Sequence, residues 1–308
     1  MDNRKPDFVI IGAQKSASTF IHNWISEHPD AFMLHGEIPI FESPDYENSS
    51  MELFYKSFSN CNEKIVGFKR PNYLGRSEVP ERIYNNLPDA KLIAVLRNPI
   101  DRAISACYHN INYGFLPVEN PDVLLNKIFK GEDIVGYPRA NEIIEFGLYH
   151  KYLEMYQNYY ESGKLLIVNH DDIKKDSRNE VKKIYSYLGI DSNFVAKSLK
   201  SRPQSVIYNL NRLRFLRLRN RIIYRYNSSR TRLTKRRGFI LKIVRGLFDK
   251  FDSLVLSKIF KNEKDQISND TLVLIQNAYK NDIQNLEKKY GLNLDTWKQN
   301  GDLGNVDK

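Results

Sequence analysis

The stretch from Phe8 to Ile25 reads FVIIGAQKSASTFIHNWI, and it predicts a strand, a tight turn and the start of a helix. Four consecutive apolar residues, Phe8 to Ile11, are typical of a short strand buried on both faces. Apolar residues then recur at helical spacing from Phe20 to Ile25. Ser18 and Thr19 are residue types that accept hydrogen bonds from free N–H groups at a helix N-terminus. We therefore expect a strand-loop-helix unit here.

The turn in this unit is suited to binding an anion. It collects unpaired backbone N–H groups and the positive end of a helix dipole, and Lys15 adds a full charge. In the nucleotide-binding loop G-x-x-x-x-G-K-[ST] the lysine comes six residues after the first glycine. Here Lys15 comes only three residues after Gly12, and the second glycine is absent. The turn therefore predicts a phosphate site without the spacing of an ATPase or GTPase.

Composition limits the class of protein. A chain of 308 residues, 41% of them hydrophobic, can bury a sizeable core, and we expect one domain over residues 1–308. No run of about 18 apolar residues could span a bilayer, and the N-terminus has no apolar signal region. Two cysteines, Cys61 and Cys107, fit a reducing compartment, so we expect a cytoplasmic protein. The six histidines show no metal-binding spacing, and we expect no metal.

The positive charge of the chain is concentrated in one segment, Arg212 to Arg245, called here the basic segment. It contains 11 Arg and 2 Lys and no acidic residue. A basic face interleaved with base-stacking aromatics is not seen elsewhere, so no nucleic-acid partner is expected. Three roles stay open: a solvated face that raises the local positive potential, recognition of an acidic acceptor, and docking on an anionic membrane.

Further along the chain, short apolar strands alternate with helical patterns. Strands are predicted at Lys64–Lys69, Lys91–Arg97 and Lys164–Asn169, and helices at Ser77–Leu87, Pro99–Tyr113, Asn141–Tyr160 and Asn179–Leu188. This alternation favours an α/β fold with a parallel central sheet flanked by helices. We expect this core to span residues 1–195.

The C-terminal part, residues 196–308, is predicted to be basic and helical. From Asn209 on the pattern is helical throughout, with a last amphipathic helix at about Asp270–Tyr290. Within the core, one group of tyrosines recurs at helical spacing, which favours core packing over an acceptor platform. These tyrosines are Tyr149, Tyr152, Tyr156 and Tyr159.

A second anion anchor follows the strand KLIAVLR, where the sequence continues NPIDRAISACYH. Arg97 ends the strand, Pro99 stands at a favourable first helical position, and Ser105 lies within the helix. A guanidinium fork could hold a phosphate through two hydrogen bonds, with the Ser105 hydroxyl as a further donor. Because ligands bind at the carboxyl ends of parallel strands, Arg97 and Lys15 are expected at one edge of the sheet.

These two motifs together resemble the sulfotransferases that use 3′-phosphoadenosine 5′-phosphosulfate. GAQKSAST is similar to the 5′-phosphosulfate loop of that family, with Ala17 in place of a usual glycine, and LRNPIDRAISAC is similar to its 3′-phosphate motif. The resemblance implies that Arg97 and Ser105 bind the donor, with Lys200, Ser201 and Arg202 as further ligands from a closing loop. It also implies a set of donor-binding residues in the first loop: Gln14, Lys15, Ser16, Ala17, Ser18, Thr19 and Phe20.

The acceptor side resembles the bacterial and glycan-type branch of the family. HGEIPIFESPDY places Glu37 in the general-base position, and GFKRPNYL places Lys69 near the reacting centre, where it assists Lys15. His35, two residues before Glu37, is a rival base because the ordinary pKa of histidine lies nearer neutrality.

The resemblance implies transfer of a sulfuryl group to a hydroxyl or amine of a small-molecule natural product or a glycan. Adenosine 3′,5′-bisphosphate would be the second product, and no metal is required. Two alternatives of other classes stay open: a nucleotide kinase-like phosphotransferase, and a non-catalytic protein that binds anions or nucleic acid. The sequence does not indicate the oligomeric state.

Overall fold

The computed structural model describes residues 4–200 and 206–298, and for Lys200 it describes the backbone only. In these residues a parallel sheet of five strands has the order β2-β3-β1-β4-β5. The strands are β1 (Phe8–Gly12), β2 (Ala31–Met33), β3 (Ile65–Lys69), β4 (Lys91–Leu96) and β5 (Leu165–Asn169). Strands β1 and β3 are buried along their whole length, as expected for a sheet covered on both faces.

Helices connect these strands and continue after them. Those of the first two hundred residues are α1 (Ser18–Ser26), α2 (Asp45–Asn48), α3 (Met51–Lys56), α4 (Val79–Asn86), α5 (Pro99–Tyr113), α6 (Pro121–Phe129), α7 (Glu142–Glu145), α8 (Tyr149–Leu153), α9 (Gln157–Glu161), α10 (His170–Lys175) and α11 (Ser177–Leu188). Later helices are α12 (Leu210–Ile223), α13 (Phe239–Phe251), α14 (Ser257–Ile259), α15 (Asn269–Tyr290) and α16 (Asp295–Lys298). The predicted α/β fold with a parallel central sheet and a helical C-terminal part is therefore confirmed.

The chain divides into two compact units. The first comprises Met1–Arg102, Leu148–Pro203 and Asp282–Trp297 and contains the parallel sheet. Its core packs apolar residues of β1 and β4 against α1 and α11. The second comprises Ala103–Gly147, Gln204–Asn281 and Lys298–Lys308 and is mostly helical where it is described. The expectation of one domain over residues 1–308 stays a prediction.

The predicted helix over Asn141–Tyr160 is wrong as a single element, because the structure has α7, α8, a 3-10 turn and α9 there. Tyr279 donates a hydrogen bond to the carbonyl of Ile143 in α7. A Cβ on Gly147 would come within 2.7 Å of the Tyr279 ring. Only glycine therefore lets the backbone come this close to the ring. The tyrosines predicted to be core are confirmed as buried, including Tyr149.

The prediction of a wholly helical chain after Asn209 is also wrong. Strands β6 (Tyr224–Tyr226) and β7 (Leu233–Lys235) form an antiparallel hairpin. The turn between them is built by Asn227, whose side-chain oxygen accepts hydrogen bonds from the N–H groups of Thr231 and Arg232. Asparagine oxygens compete with helix formation in this way, which explains the interruption.

Candidate functional site

The loop between β1 and α1 has an unusual backbone. Lys15 and Ala17 have φ values of 67° and 68°, in the left-handed region that favours glycine. Ala17 precedes α1 without a side-chain cap. The prediction that Ser18 and Thr19 cap the helix is therefore wrong, because the backbone turn itself starts α1. The N–H of Phe20 donates to the carbonyl of Ala17 at 2.9 Å, and those of Ser18 and Thr19 are left available to an anion.

Lys15 and Lys69 are desolvated cations beside this loop. Burial is the main cause that lowers the pKa of Lys15; the charge of Arg97 lowers it further and that of Glu37 opposes the shift. Burial likewise lowers the pKa of Lys69, again opposed by Glu37. Lys69 Nζ donates a hydrogen bond to Thr19 Oγ1 at 3.2 Å. Across residues 4–200 and 206–298, no acidic residue lies within ion-pair distance of either lysine.

Arg97 comes directly after β4, and its backbone carbonyl accepts a hydrogen bond of 2.9 Å from the buried hydroxyl of Tyr149. One guanidinium nitrogen donates to the carbonyl of Lys15 at 3.3 Å, and another lies 3.9 Å from Asp101. Its Nε is buried and has no hydrogen-bond partner in the described part of the chain. Because such a group costs free energy when unpaired, the geometry favours an anion as its partner.

Glu37 lies on the segment before α2. This segment runs beside β3, where the N–H of Ile38 donates to the carbonyl of Lys69 at 3.1 Å. Arg70 donates to Glu37 Oε2 at 3.1 Å. The same guanidinium holds both oxygens of the buried Glu42, at 2.6 and 2.8 Å. Arg70 is thus fixed by one carboxylate and orients the other, more exposed one.

One histidine, His22, lies within electrostatic reach of both Lys69 and His35. His22, on α1, was not identified from the sequence; burial, with the charges of Lys69 and His35, lowers its pKa to about 4. His35 is exposed. Its role as a rival base to Glu37 stays a prediction.

The other predicted donor-binding residues are placed as follows. Gln14 donates to the side chain of Asn72 at 3.2 Å, Ser16 is buried, and Phe20 packs against the core. Ser105 belongs to the second unit, and its buried hydroxyl has no hydrogen-bond partner among the described residues. Ser201 and Arg202 lie outside the described residues, as does the side chain of Lys200. The binding roles of all these residues stay predictions.

Sequence reasoning missed Arg70 and Glu42 as members of this site. Arg70 is adjacent to Lys69, and Glu42 comes five residues after Glu37, so both lie within the motifs already identified. A buried arginine that bridges two carboxylates has no sequence signature of its own, because the pairing depends on how the segment before α2 folds against β3.

The described residues contain no cluster of three or more His, Cys, Asp or Glu side chains suited to hold a metal ion. They also contain no helix with the length and apolar character needed to cross a bilayer. The absence of a metal requirement and the cytoplasmic location stay predictions.

Comparison with known proteins gives a family for this chain. Residues 5–262 match the sulfotransferase domain family. The human bifunctional heparan sulfate N-deacetylase/N-sulfotransferase 2 is 30% identical over 204 residues, which cover 61% of this chain and 22% of that protein. Human heparan sulfate glucosamine 3-O-sulfotransferase 6 is 27% identical over 208 residues, covering 65% of this chain and 58% of that protein. The chain thus spans less than two thirds of either relative.

A solved structure shows the same fold. A sulfotransferase from Alicyclobacillus acidocaldarius superposes with a TM-score of 0.54 at 22% identity, covering 65% of this chain and 87% of that one. The resemblance that the two phosphate motifs indicated is confirmed: the chain belongs to the sulfotransferase domain family.

Proposed function

We propose that this chain transfers a sulfuryl group from 3′-phosphoadenosine 5′-phosphosulfate to a hydroxyl or amine of a glycan. One observation carries the proposal: the desolvated cations beside the β1–α1 loop lie within electrostatic reach of a carboxylate. Lys15 and Lys69 have lowered pKa values, and the charge of Glu37 acts on both. Such a site binds an anionic donor and keeps a base next to it.

The residues present fit a donor with phosphate groups at two positions. Lys15, Lys69 and the N–H groups of the first turn of α1 would hold the 5′-phosphosulfate, since desolvated cations and a helix N-terminus both favour anions. Arg97 would hold the 3′-phosphate and satisfy its buried Nε. When bound, the donor supplies a sulfuryl group activated by its link to the 5′-phosphate.

The chemistry left to the protein is positioning, charge stabilisation and one proton transfer. Lys15 and Lys69 stabilise negative charge developing beside their ammonium groups, and they do so more strongly in a desolvated site than in water. The Glu37 carboxylate accepts the proton of the attacking hydroxyl or amine. Arg70 holds that carboxylate in place through the contact at 3.1 Å.

A glycan is the acceptor class that the relatives favour. The names of the two relatives above refer to heparan sulfate, one to an N-sulfotransferase and the other to a glucosamine 3-O-sulfotransferase. Glu37 can act as the base in either N- or O-sulfation, because a carboxylate can accept a proton from an amine or a hydroxyl. A small-molecule natural product with such a group is the alternative acceptor.

Calorimetry tests the donor half of the proposal. Adenosine 3′,5′-bisphosphate should bind much more tightly than adenosine 5′-monophosphate, because Arg97 contributes only when a 3′-phosphate is present. Equal affinities for the two nucleotides would contradict the assigned donor.

Transfer of labelled sulfate tests the acceptor half. The enzyme and labelled donor are incubated with a glucosamine-containing polysaccharide that carries free amines, with the same polysaccharide after N-acetylation, and with a bacterial small-molecule extract. Label in either polysaccharide supports the glycan, and loss of label on acetylation identifies the amine. Label in the extract alone would show that the acceptor is a small molecule.

A further inference from the structure

Helix α13 exposes an apolar face. Several of its apolar residues recur at helical spacing and project to one side. None of the side chains of α13 is buried. The exposed fractions are 78% for Phe239, 74% for Ile240, 49% for Ile243 and 63% for Leu247. Single exposed apolar side chains are ordinary, but four on one face of one helix form a continuous patch of the kind found at interaction sites.

The opposite side of α13 is anchored to α12 within the second unit. The Phe215 ring packs against those of Phe248 and Phe251, at centroid distances of 4.9 and 5.4 Å. Arg219 forms an ion pair with Asp249. The helix is therefore held in a fixed rotation that directs Ile240, Ile243 and Leu247 outward.

Three of the five arginines of α12, Arg212, Arg217 and Arg219, are held by contacts within the second unit. The buried guanidinium of Arg212 holds both oxygens of Asp252, and Arg217 donates to the carbonyl of Leu116 and the hydroxyl of Tyr137. These cations stabilise the unit and are not presented to a partner. For membrane docking, one of the three roles left open for the basic segment, the second half of the segment is therefore the better candidate.

Exposed cations surround the apolar face of α13. Lys235, Arg236 and Arg237 directly precede the helix, and Lys242 and Lys250 lie on it; all five side chains are exposed. Within the described residues none of the five lies within ion-pair distance of a carboxylate. Asp249, on α13, and Asp252, just after it, are both paired with arginines of α12. The charge left without an ion-pair partner around the apolar face is therefore cationic.

We propose that α13 is an interfacial helix that docks this protein on an anionic lipid bilayer. A bilayer surface satisfies both features at once, since the apolar side chains enter the acyl boundary and the cations meet the headgroups. A second copy of the same face would bring the cationic borders together, which disfavours self-association. The inference is independent of the sulfotransferase chemistry, because it rests on residues of the second unit alone.

Vesicle flotation of the full chain tests the proposal. Binding is expected to phosphatidylcholine vesicles that contain 30% phosphatidylserine, at least tenfold weaker to pure phosphatidylcholine, and weaker at high salt because the headgroup attraction is screened. The triple variant Ile240→Ser, Ile243→Ser, Leu247→Ser should lower the partition coefficient at least tenfold. The matched control removes exposed apolar side chains elsewhere in the same unit, through Val123→Ser, Val135→Ser and Val273→Ser, and should bind like the unmodified chain.

A tryptophan placed on the helix reports insertion directly. The two natural tryptophans, Trp24 and Trp297, are each only 2% exposed, so a new indole at an exposed position gives a separable signal. Ile243→Trp should show a blue-shifted emission and quenching by brominated lipid on anionic vesicles, whereas Val135→Trp should show neither.

Three outcomes would overturn the proposal. The first is equal binding to neutral and anionic vesicles. The second is unchanged binding or the absence of a tryptophan response in the α13 variants. The third is a concentration-dependent dimer, measured by sedimentation velocity, that the serine triple abolishes while vesicle binding is absent; this result would assign the face to a second copy of the chain.

Discussion

The cations of the candidate site and those of the basic segment have opposite surroundings. Beside the β1–α1 loop, Lys15 and Lys69 are desolvated, have lowered pKa values and lie within reach of the carboxylate charge of Glu37. In the basic segment, Arg212 is neutralised by Asp252, while Arg236 and Arg237 are exposed to solvent. The site has few cations, and they are largely shielded from water. The segment has many cations that are either paired or well solvated.

This difference shows why the density of charge along the sequence is a poor guide to a binding site. An ion pair or full solvation satisfies a cation without a ligand, whereas a desolvated cation without an acidic partner gains most from a bound anion. The basic segment dominates the composition of the chain, yet the two lysines beside the loop are better placed to hold the donor.

The largest effect is expected from removing the proposed general base. Glu37→Gln should lower turnover by about 10²–10⁴, the usual scale of general-base catalysis, because an amide cannot accept the proton. Binding of adenosine 3′,5′-bisphosphate should change little. Steady-state kinetics and calorimetry measure the two quantities. His35→Ala is the matched variant, and if it abolishes turnover while Glu37→Gln does not, the base is His35.

In the basic segment the corresponding effect should be on stability. Asp252→Asn leaves the buried Arg212 charge unpaired and should lower the free energy of unfolding by ~3–5 kcal/mol. The double variant Arg212→Met, Asp252→Leu removes both charges and should recover most of this loss, because a buried pair can be replaced by apolar residues of similar size.

Urea unfolding of the full chain measures this stability effect. Arg236→Gln in the exposed part of the segment is the control and should change the free energy by less than ~0.5 kcal/mol. A double variant that is no more stable than Asp252→Asn would show that the pair contributes specific contacts beyond charge neutralisation.

A single arginine of the site should matter more for donor binding than any exposed cation of the segment. Arg97→Ala removes a charge-assisted contact with the 3′-phosphate, worth ~1.5–3 kcal/mol, and should weaken binding of adenosine 3′,5′-bisphosphate by roughly 10- to 150-fold. Arg237→Ala should leave this affinity within about twofold. Similar losses in the two variants, measured by calorimetry at one salt concentration, would mean that overall potential and not local geometry attracts the donor.

The parts of this structure predicted correctly from sequence are those with short-range signals. The strand-loop-helix unit, four strands of the sheet, and the helix from Pro99 to Tyr113 follow from apolar periodicity and a proline start. The sequence reading missed β2, which has only three residues and is defined by its pairing with β3. The break at Gly147 was missed because it depends on Tyr279, more than a hundred residues away.

The same limit applies to the candidate site. Lys15, Lys69 and Arg97 could be selected because each follows a predicted strand or lies in a recognisable motif. The bridge from Arg70 to Glu37 and Glu42 could not, since it joins two segments through side-chain geometry. For α13 the charge and the helical pattern can be predicted from sequence, but only the packing against α12 shows which face is left exposed.

The smallest effect concerns the loop backbone that holds the cations of the site. Ala17 has a φ of 68°, where a Cβ is strained, so Ala17→Gly should raise the free energy of unfolding by ~0.5–1 kcal/mol, the relief of strain exceeding the added entropy of the unfolded chain. The matched control is Ala278→Gly, at an exposed position of the regular helix α15, which should lower the same quantity by about 1 kcal/mol. Opposite signs for one chemical change, measured by urea unfolding, would show that the loop conformation is maintained against the preference of its residue. If Ala17→Gly also leaves donor affinity within about threefold, the anion site is defined by the position of the N–H groups and lysines, and not by the methyl group at residue 17.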